Sequence, residues 1–340
     1  MSHKLVFVGY KNYRLLRVRL PAAWCGLVGL KPTYGSISRH GIIAYASSLD
    51  TVGIIANSVE CTSLTFDILK TIERESLEEI KDATTHPVHS ISHFDFNLDG
   101  LRIGIPESFV VTECPSQIID SWDKTLQMLE NKNVQIVTIP NSVISHSTVK
   151  MTLPAYYVIS SAEASSNLAR YDGMKHGSSI VSLKAELNEK DGFIEATRGE
   201  GFGNEVKRRV LAGTAVLSSD RFHTYYEAAT RVRAAITSQF QQAFSKSNEY
   251  RVDIIAIPTS MSNPPYFNEK STSLDNTKAF QNDIMTTPIS LAGLPSITLP
   301  ILEEQPMIGM QFIGQTKSED VLIAISKAIE STIIGRKRLK

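Results

Sequence analysis

The chain has 340 residues, 42% apolar and 21% charged, with 35 Lys and Arg balanced by 35 Asp and Glu. That balance supplies no global field toward nucleic acid, so any RNA contact has to come from a local patch or a partner. No apolar run reaches membrane-spanning length. Three scattered cysteines, Cys25, Cys61 and Cys114, suggest a reducing compartment and neither a disulfide framework nor a zinc site.

Residues 1–17 mix Val6-Phe7-Val8 with Tyr10-Lys11-Asn12-Tyr13-Arg14, show no sustained period, and are left unassigned. Lys11, Arg14, Arg17 and Arg19 read as a solvated basic segment, and no convincing signal or transit peptide is visible. From Leu20 to Gly53 glycine, proline and small residues crowd together, too densely for an ordinary helix or strand. This stretch is expected to be a tightly folded loop platform, a kind of structure that more often carries a site than fills a core. Ser58 can cap a following helix with Leu64, Ile68 and Ile72 along one stripe. The charged stretch Glu73 to Lys81 extends that helix into solvent. His86, His89 and His93 fall in a loop without a tetrahedral ligand set and are not read as metal ligands.

Strand 101–106, helix 116–131 with Ile119, Trp122, Leu126 and Leu129 on one face, and strand 134–139 form the pattern of an α/β sheet. Ala155-Tyr156-Tyr157 leads into an Ala- and Ser-rich helix, Ala162 through Gly173, that lets another backbone come close. Arg208 and Arg209 follow a helix start, and one of them turned inward could hold a carboxylate bidentately. Helix 220–244 places Tyr225, Val232, Ile236, Phe240 and Phe244 along a core stripe. Strand 252–257, a polar loop 260–278, strand 296–301, a hairpin arm 307–314 and helix 317–333 complete the sheet. Thr316 and Glu319 read as a capping box for that last helix. Asp283 sits close to a strand entrance, where α/β folds often present side chains to ligands. Residues 336–340 are a small basic tail.

The run Val18-Arg19-Leu20-Pro21, continuing through Ser47-Ser48-Leu49-Asp50-Thr51-Val52-Gly53, resembles the amidase signature family. Three further blocks narrow the resemblance to the branch formed by the A-subunits of glutamyl-tRNA(Gln) amidotransferases. They are Tyr156-Tyr157 through Gly173, Arg198 through Arg209, and Asn282-Asp283 through Pro295. The fold this implies is the α/β amidase signature fold, a mixed β-sheet covered by helices on both faces, occupying 18–335. The implied reaction is an acyl transfer: a serine attacks the amide of glutamine, a second serine in a cis peptide relays the proton, and a lysine is the base. Ammonia then passes to the amidotransferase B-subunit, which activates glutamate on tRNA with ATP and Mg, so the A-subunit itself has no cofactor. A small accessory subunit completes the complex; tRNA contact is indirect, and no membrane is involved. The resemblance makes Tyr156 a wall of the glutamine pocket, Arg209 the binder of its carboxylate and Asp283 the binder of its ammonium.

Against that pattern the chain departs at one place. Arg17 stands where the family has its nucleophilic serine, and Leu15 and Leu16 stand where it has glycines. Arginine has no nucleophilic oxygen, and side chains at the glycine positions crowd an oxyanion hole. The lysine and cis serine would fall upstream of Met1. The expectation is an A-subunit that lacks its N-terminal third and is catalytically incompetent, from a fungal mitochondrial matrix. The alternatives are a non-catalytic scaffold for the B-subunit, or another amidase signature hydrolase. The charge pair Arg209 and Asp283 argues against an apolar substrate.

Overall fold

The computed structural model describes residues 6–9, 18–76, 96–110, 114–179, 192–264, 282–301 and 308–333. Leu15, Leu16 and Arg17, the histidines His86, His89 and His93, and the tail 336–340 lie outside the described residues. The chain divides into two compact units: residues 1–41, 51–153 and 233–340 form one, and residues 42–50 and 154–232 the other.

The first unit holds all eight described strands: β1 (Val6–Gly9), β2 (Val28–Lys31), β3 (Gly53–Ala56), β4 (Arg102–Pro106), β5 (Gln135–Ile139), β6 (Ile254–Pro258), β7 (Ser296–Pro300) and β8 (Gly309–Ile313). They form one mixed sheet in the order β1-β3-β2-β7-β8-β6-β4-β5, with β4 parallel to β5 and β6 and the other pairs antiparallel. Every residue of β6, β7 and β8 is buried. Because successive side chains point to opposite faces, burial without alternation means that both faces of the central sheet are covered. Val6–Gly9, left unassigned by its lack of periodicity, is the edge strand against β3.

Several sequence expectations are corrected here. The crowded stretch after Val18 is not loop throughout: it opens with helix α1 (Arg19–Trp24) and strand β2. Pro21 is accommodated because it falls in the first turn, where backbone N–H groups have no intrahelical acceptor. The glycines serve two ends. Gly26, at φ 64°, makes the turn from α1 into β2. At Gly29 a β-carbon would stand 2.7 Å from that of Ala22, so its role is close approach of strand to helix. Arg19, grouped with the solvated bases, is only 1% exposed and is one of the largest buried side chains. Its acceptors come from residues far away in sequence, which no local pattern reveals.

Helix α2 (Val59–Ser76) begins as expected, with the Ser58 hydroxyl accepting the Cys61 N–H at 3.2 Å. Its buried face is different. Leu64 and Ile68 are exposed at 58% and 50%, whereas Val59, Thr62, Ser63, Phe66 and Lys70 are buried. Those five recur at i, i+3, i+4, i+7 and i+11, a true helical face whose polar members hid it from a purely apolar pattern. Helix α3 (Ser116–Glu130) is similarly rotated: Ile118, Trp122 and Leu129 are buried, while Ile119 and Leu126 are half-buried.

Helix α4 (His146–Leu168) contains Pro154 and runs from the first unit into the second. The second unit continues with α5 (Phe193–Gly201), α6 (Asn204–Val216) and one wider turn of i to i+5 type, His223–Glu227, before α7 (Ala228–Phe244) leads back to the first. The small-residue face of α4 admits α6 closely. A β-carbon on Gly213 would fall 2.6 Å from the Ser161 carbonyl carbon and 2.8 Å from the Ser165 β-carbon. On α7, Ile236, Phe240 and Phe244 are core as expected, but Tyr225 is 50% exposed. The wide turn inserts a residue and carries Tyr225 out of phase with the stripe. Two short elements precede β7: a 3-10 turn, Asn282–Met285, and helix α8 (Thr287–Leu291). The last helix, α9 (Glu319–Ile333), begins at Glu319, whose carboxylate does not cap it. Instead Oε1 accepts the Thr33 N–H and the Ser36 hydroxyl, both at 2.7 Å, fastening the stretch after β2. Among the described residues, no helix is long and apolar enough to cross a membrane.

Candidate functional site

In the second unit the loop 42–50 is fixed by acidic and amide side chains. Asp50 Oδ2 accepts the N–H groups of Tyr45 and Ala46, each at 3.0 Å. On α4, Glu163 accepts the Ser48 N–H at 2.9 Å and the Ser48 hydroxyl at 2.5 Å, and the Asn167 amide donates to the Tyr45 carbonyl at 3.0 Å. Backbone groups that a loop would leave open are thereby satisfied, so Tyr45 is held in one place.

Arg209 meets that tyrosine. Of the adjacent arginines on α6, Arg208 faces solvent with its side chain 65% exposed, and Arg209 is the one turned inward, at 12%. Its Nε donates to Glu205 Oε1 at 3.0 Å, its Nη2 lies 3.0 Å from the same oxygen, and its Nη1 donates to the Tyr45 hydroxyl at 3.3 Å. The guanidinium also lies over the Tyr157 ring, 5.2 Å from its centroid. Burial pushes the Tyr45 phenol above its ordinary pKa, although Arg209 pulls it the other way. Burial acts to lower the Arg209 pKa, but Tyr45, Glu205 and Tyr157 outweigh it and the net direction is up. Arg209 is therefore a fixed, permanent cation whose orientation is set by Glu205, one helical turn earlier.

Tyr156 is buried, 2% exposed, with its ring edge-on to Tyr157 at 6.1 Å. The half-buried tyrosine against Arg209 is its neighbour, Tyr157. Asp283 belongs to the first unit, is 1% exposed, and sits in the 3-10 turn. Its carbonyl accepts the Thr286 N–H at 3.1 Å and the Thr287 hydroxyl at 2.6 Å. The preceding Asn282 accepts the Met261 N–H and donates to the Ser262 hydroxyl, both at 2.9 Å.

Behind Asp283 lies a set of residues that local sequence reasoning missed. Arg19 donates to Gln311 Oε1 at 2.8 Å, to the Thr286 carbonyl at 2.8 Å and to the Ser290 hydroxyl at 2.9 Å. Gln311 Nε2 donates to the Met285 carbonyl at 2.7 Å and the Pro258 carbonyl at 3.3 Å. Glu205 carried a legible signal, its i,i+4 spacing to Arg209. Tyr45, Tyr157 and Gln311 carried none, since an aromatic or an amide in such positions is ordinarily packing or surface. Among the described residues, no group of His, Cys, Asp and Glu could hold a metal ion.

A family model described as Amidase matches residues 18–323. The glutamyl-tRNA(Gln) amidotransferase A-subunit of Ehrlichia chaffeensis is 39% identical over 318 residues, covering 92% of this chain and 61% of that protein. Its counterpart in Pelagibacter ubique is 37% identical over 319 residues, covering 93% and 61%. The chain thus spans about 60% of the length of these relatives. Among solved structures, the glutamyl-tRNA(Gln) amidotransferase A-subunit from Thermotoga maritima superposes with a TM-score of 0.68 at 29% identity, covering 92% of this chain and 60% of that one. An amidase at 19% identity, TM-score 0.69, covering 96% of this chain and 63% of that one, shares the fold. With the model match extending over most of the chain and the mixed α/β sheet in place, this protein belongs to the amidase signature family.

Proposed function

We propose that this chain serves as the A-subunit of a glutamyl-tRNA(Gln) amidotransferase, with Arg209 a binder of the glutamine carboxylate, and that by itself it does not hydrolyse glutamine. The observation that carries the reading is the setting of Arg209. Among the described residues its Nε and Nη1 donate to Glu205 and Tyr45 and its Nη2 lies beside Glu205, which holds the guanidinium in place with N–H groups left to receive a carboxylate. The family resemblance assigns the ligand's ammonium to Asp283, in the first unit, and a wall of the glutamine site to Tyr156, in the second. Hydrolysis fails on chemical grounds: Arg17 offers no oxygen nucleophile, and Leu15 and Leu16 replace residues whose backbone must be open to an oxyanion. In this reading the chain carries no cofactor. ATP and Mg serve the B-subunit, tRNA is met through that partner, a small accessory subunit completes the assembly, and the setting is a fungal mitochondrial matrix.

The test combines binding and turnover. Isothermal titration with glutamine is expected to show binding that Arg209→Ala and Asp283→Asn each weaken by about tenfold or more, the loss expected for a charge-assisted hydrogen bond. Ammonia release is expected to equal a matched blank. Ammonia above that blank refutes the incompetence, and binding untouched by both substitutions refutes the grip. Assembly onto the B-subunit without any glutamine binding would favour the scaffold instead.

A further inference from the structure

We infer that Arg19 and Gln311 are positioning residues for Asp283, joining the helix that opens the signature-like run to the turn that carries the ammonium-binding carboxylate. The inference rests on the reading of Asp283 given above for its consequence in binding, but not for its structural content.

The turn Asn282–Met285 and the five-residue α8 are too short to hold their shape alone, because helix nucleation fixes several dihedral angles for each hydrogen bond gained. Something else must order them. Arg19 and Gln311 do so from two different elements. Arg19 is the first residue of α1 and Gln311 the middle of β8. Arg19 grips the Thr286 carbonyl and the Ser290 hydroxyl, and Gln311 grips the Met285 carbonyl. The two gripping side chains are locked to each other by the 2.8 Å bond from Nη1 to Oε1. Thr286 and Thr287 then pass the constraint to Asp283, donating to its carbonyl through the Thr286 N–H and the Thr287 hydroxyl. Arg19 and Gln311 are 1% and 0% exposed, so these bonds form in a buried setting where a charged donor is strong and an orphaned carbonyl costly. A lysine at position 19 keeps the charge but replaces a planar fork of donors with a single head that cannot span Gln311, Thr286 and Ser290 together.

Hydrogen exchange by mass spectrometry tests this without any ligand. In Arg19→Lys and in Gln311→Leu, amides 286–294 are expected to exchange about tenfold faster or more, the loss expected for one charge-assisted bond, while the β7–β8 ladder keeps its protection. Ser290→Ala removes only one acceptor and is expected to give a smaller increase confined to the same stretch, which keeps the test open if the stronger variants do not fold. Unchanged exchange in 286–294, or an increase spread evenly over the sheet, overturns the inference. A second measurement compares the affinity of glutamine with that of glutaramate, which lacks the α-ammonium. The positioning variants are expected to lose preference for glutamine while keeping glutaramate affinity, as Asp283→Asn does. Equal weakening of both ligands overturns the link from Arg19 to Asp283. If Asp283→Asn leaves glutamine binding intact, the ammonium-binding assignment falls, and the exchange experiment still decides the positioning role.

Discussion

Gly213 offers a sharp test of whether close helix approach governs the second unit. In an exposed helix Gly→Ala stabilises by about 1 kcal/mol, because alanine loses less backbone entropy on folding. At position 213 the added carbon would meet the Ser161 carbonyl carbon at 2.6 Å and the Ser165 β-carbon at 2.8 Å. Ordinary carbon contacts lie at about 3.5–4.0 Å, so α6 would have to retreat from α4 by about 1 Å. A gap of that size forfeits a quarter to a half of each dispersion contact along the interface, and overpacking of this kind costs about 1–3 kcal/mol. The clash outweighs the propensity, and Gly213→Ala is expected to be net destabilising by about 1–2 kcal/mol. Gly199, on α5, is exposed and has nothing within 4 Å of its would-be β-carbon, so Gly199→Ala is expected to stabilise by about 0.5–1 kcal/mol. Urea unfolding followed by circular dichroism reads both, as shifts of the midpoint in opposite directions. A Gly213→Ala protein as stable as the parent would refute the reasoning.

Two further outcomes follow from the same structure. On α2, Phe66→Ala is expected to cost about 3–5 kcal/mol as a fully buried aromatic is lost, whereas Ile68→Ser on the exposed side should stay within about 0.5 kcal/mol; the same urea assay checks both, and a reversal would restore the face drawn from the apolar stripe. Burial raises the Tyr45 pKa above its ordinary value, so the native state holds that proton more tightly than the unfolded chain. Its contribution is complete below about pH 10, the unfolded value, and is lost as pH rises through the higher folded value. Thermal midpoints are therefore expected to fall more steeply above about pH 10 in the parent than in Tyr45→Phe, and parallel curves would contradict the assignment.

Much of the architecture was legible in residues alone. The strand–helix–strand run from β4 to β5, the Ser58 cap, the hairpin of β7 and β8, and the core stripe Ile236-Phe240-Phe244 are local patterns, set by periods of two and 3.6 and by capping chemistry. The signature blocks placed the chain in its family because their spacing is a property of the sequence itself. Local pattern could say that one of Arg208 and Arg209 can turn inward, but not which.

Tertiary structure decided what depends on distant partners. A helix period gives relative phase and no absolute direction, so the buried face of α2 was settled by what packs against it, and Tyr225 left its stripe through one wide turn. Glu319 had the spacing of a cap and instead holds Thr33 and Ser36, and Arg19 looked like one more solvated base until Gln311, Thr286 and Ser290 supplied its acceptors. The cost of burying a polar or charged group is offset only by specific partners, and those partners are brought together by the folded chain, not by adjacency within it.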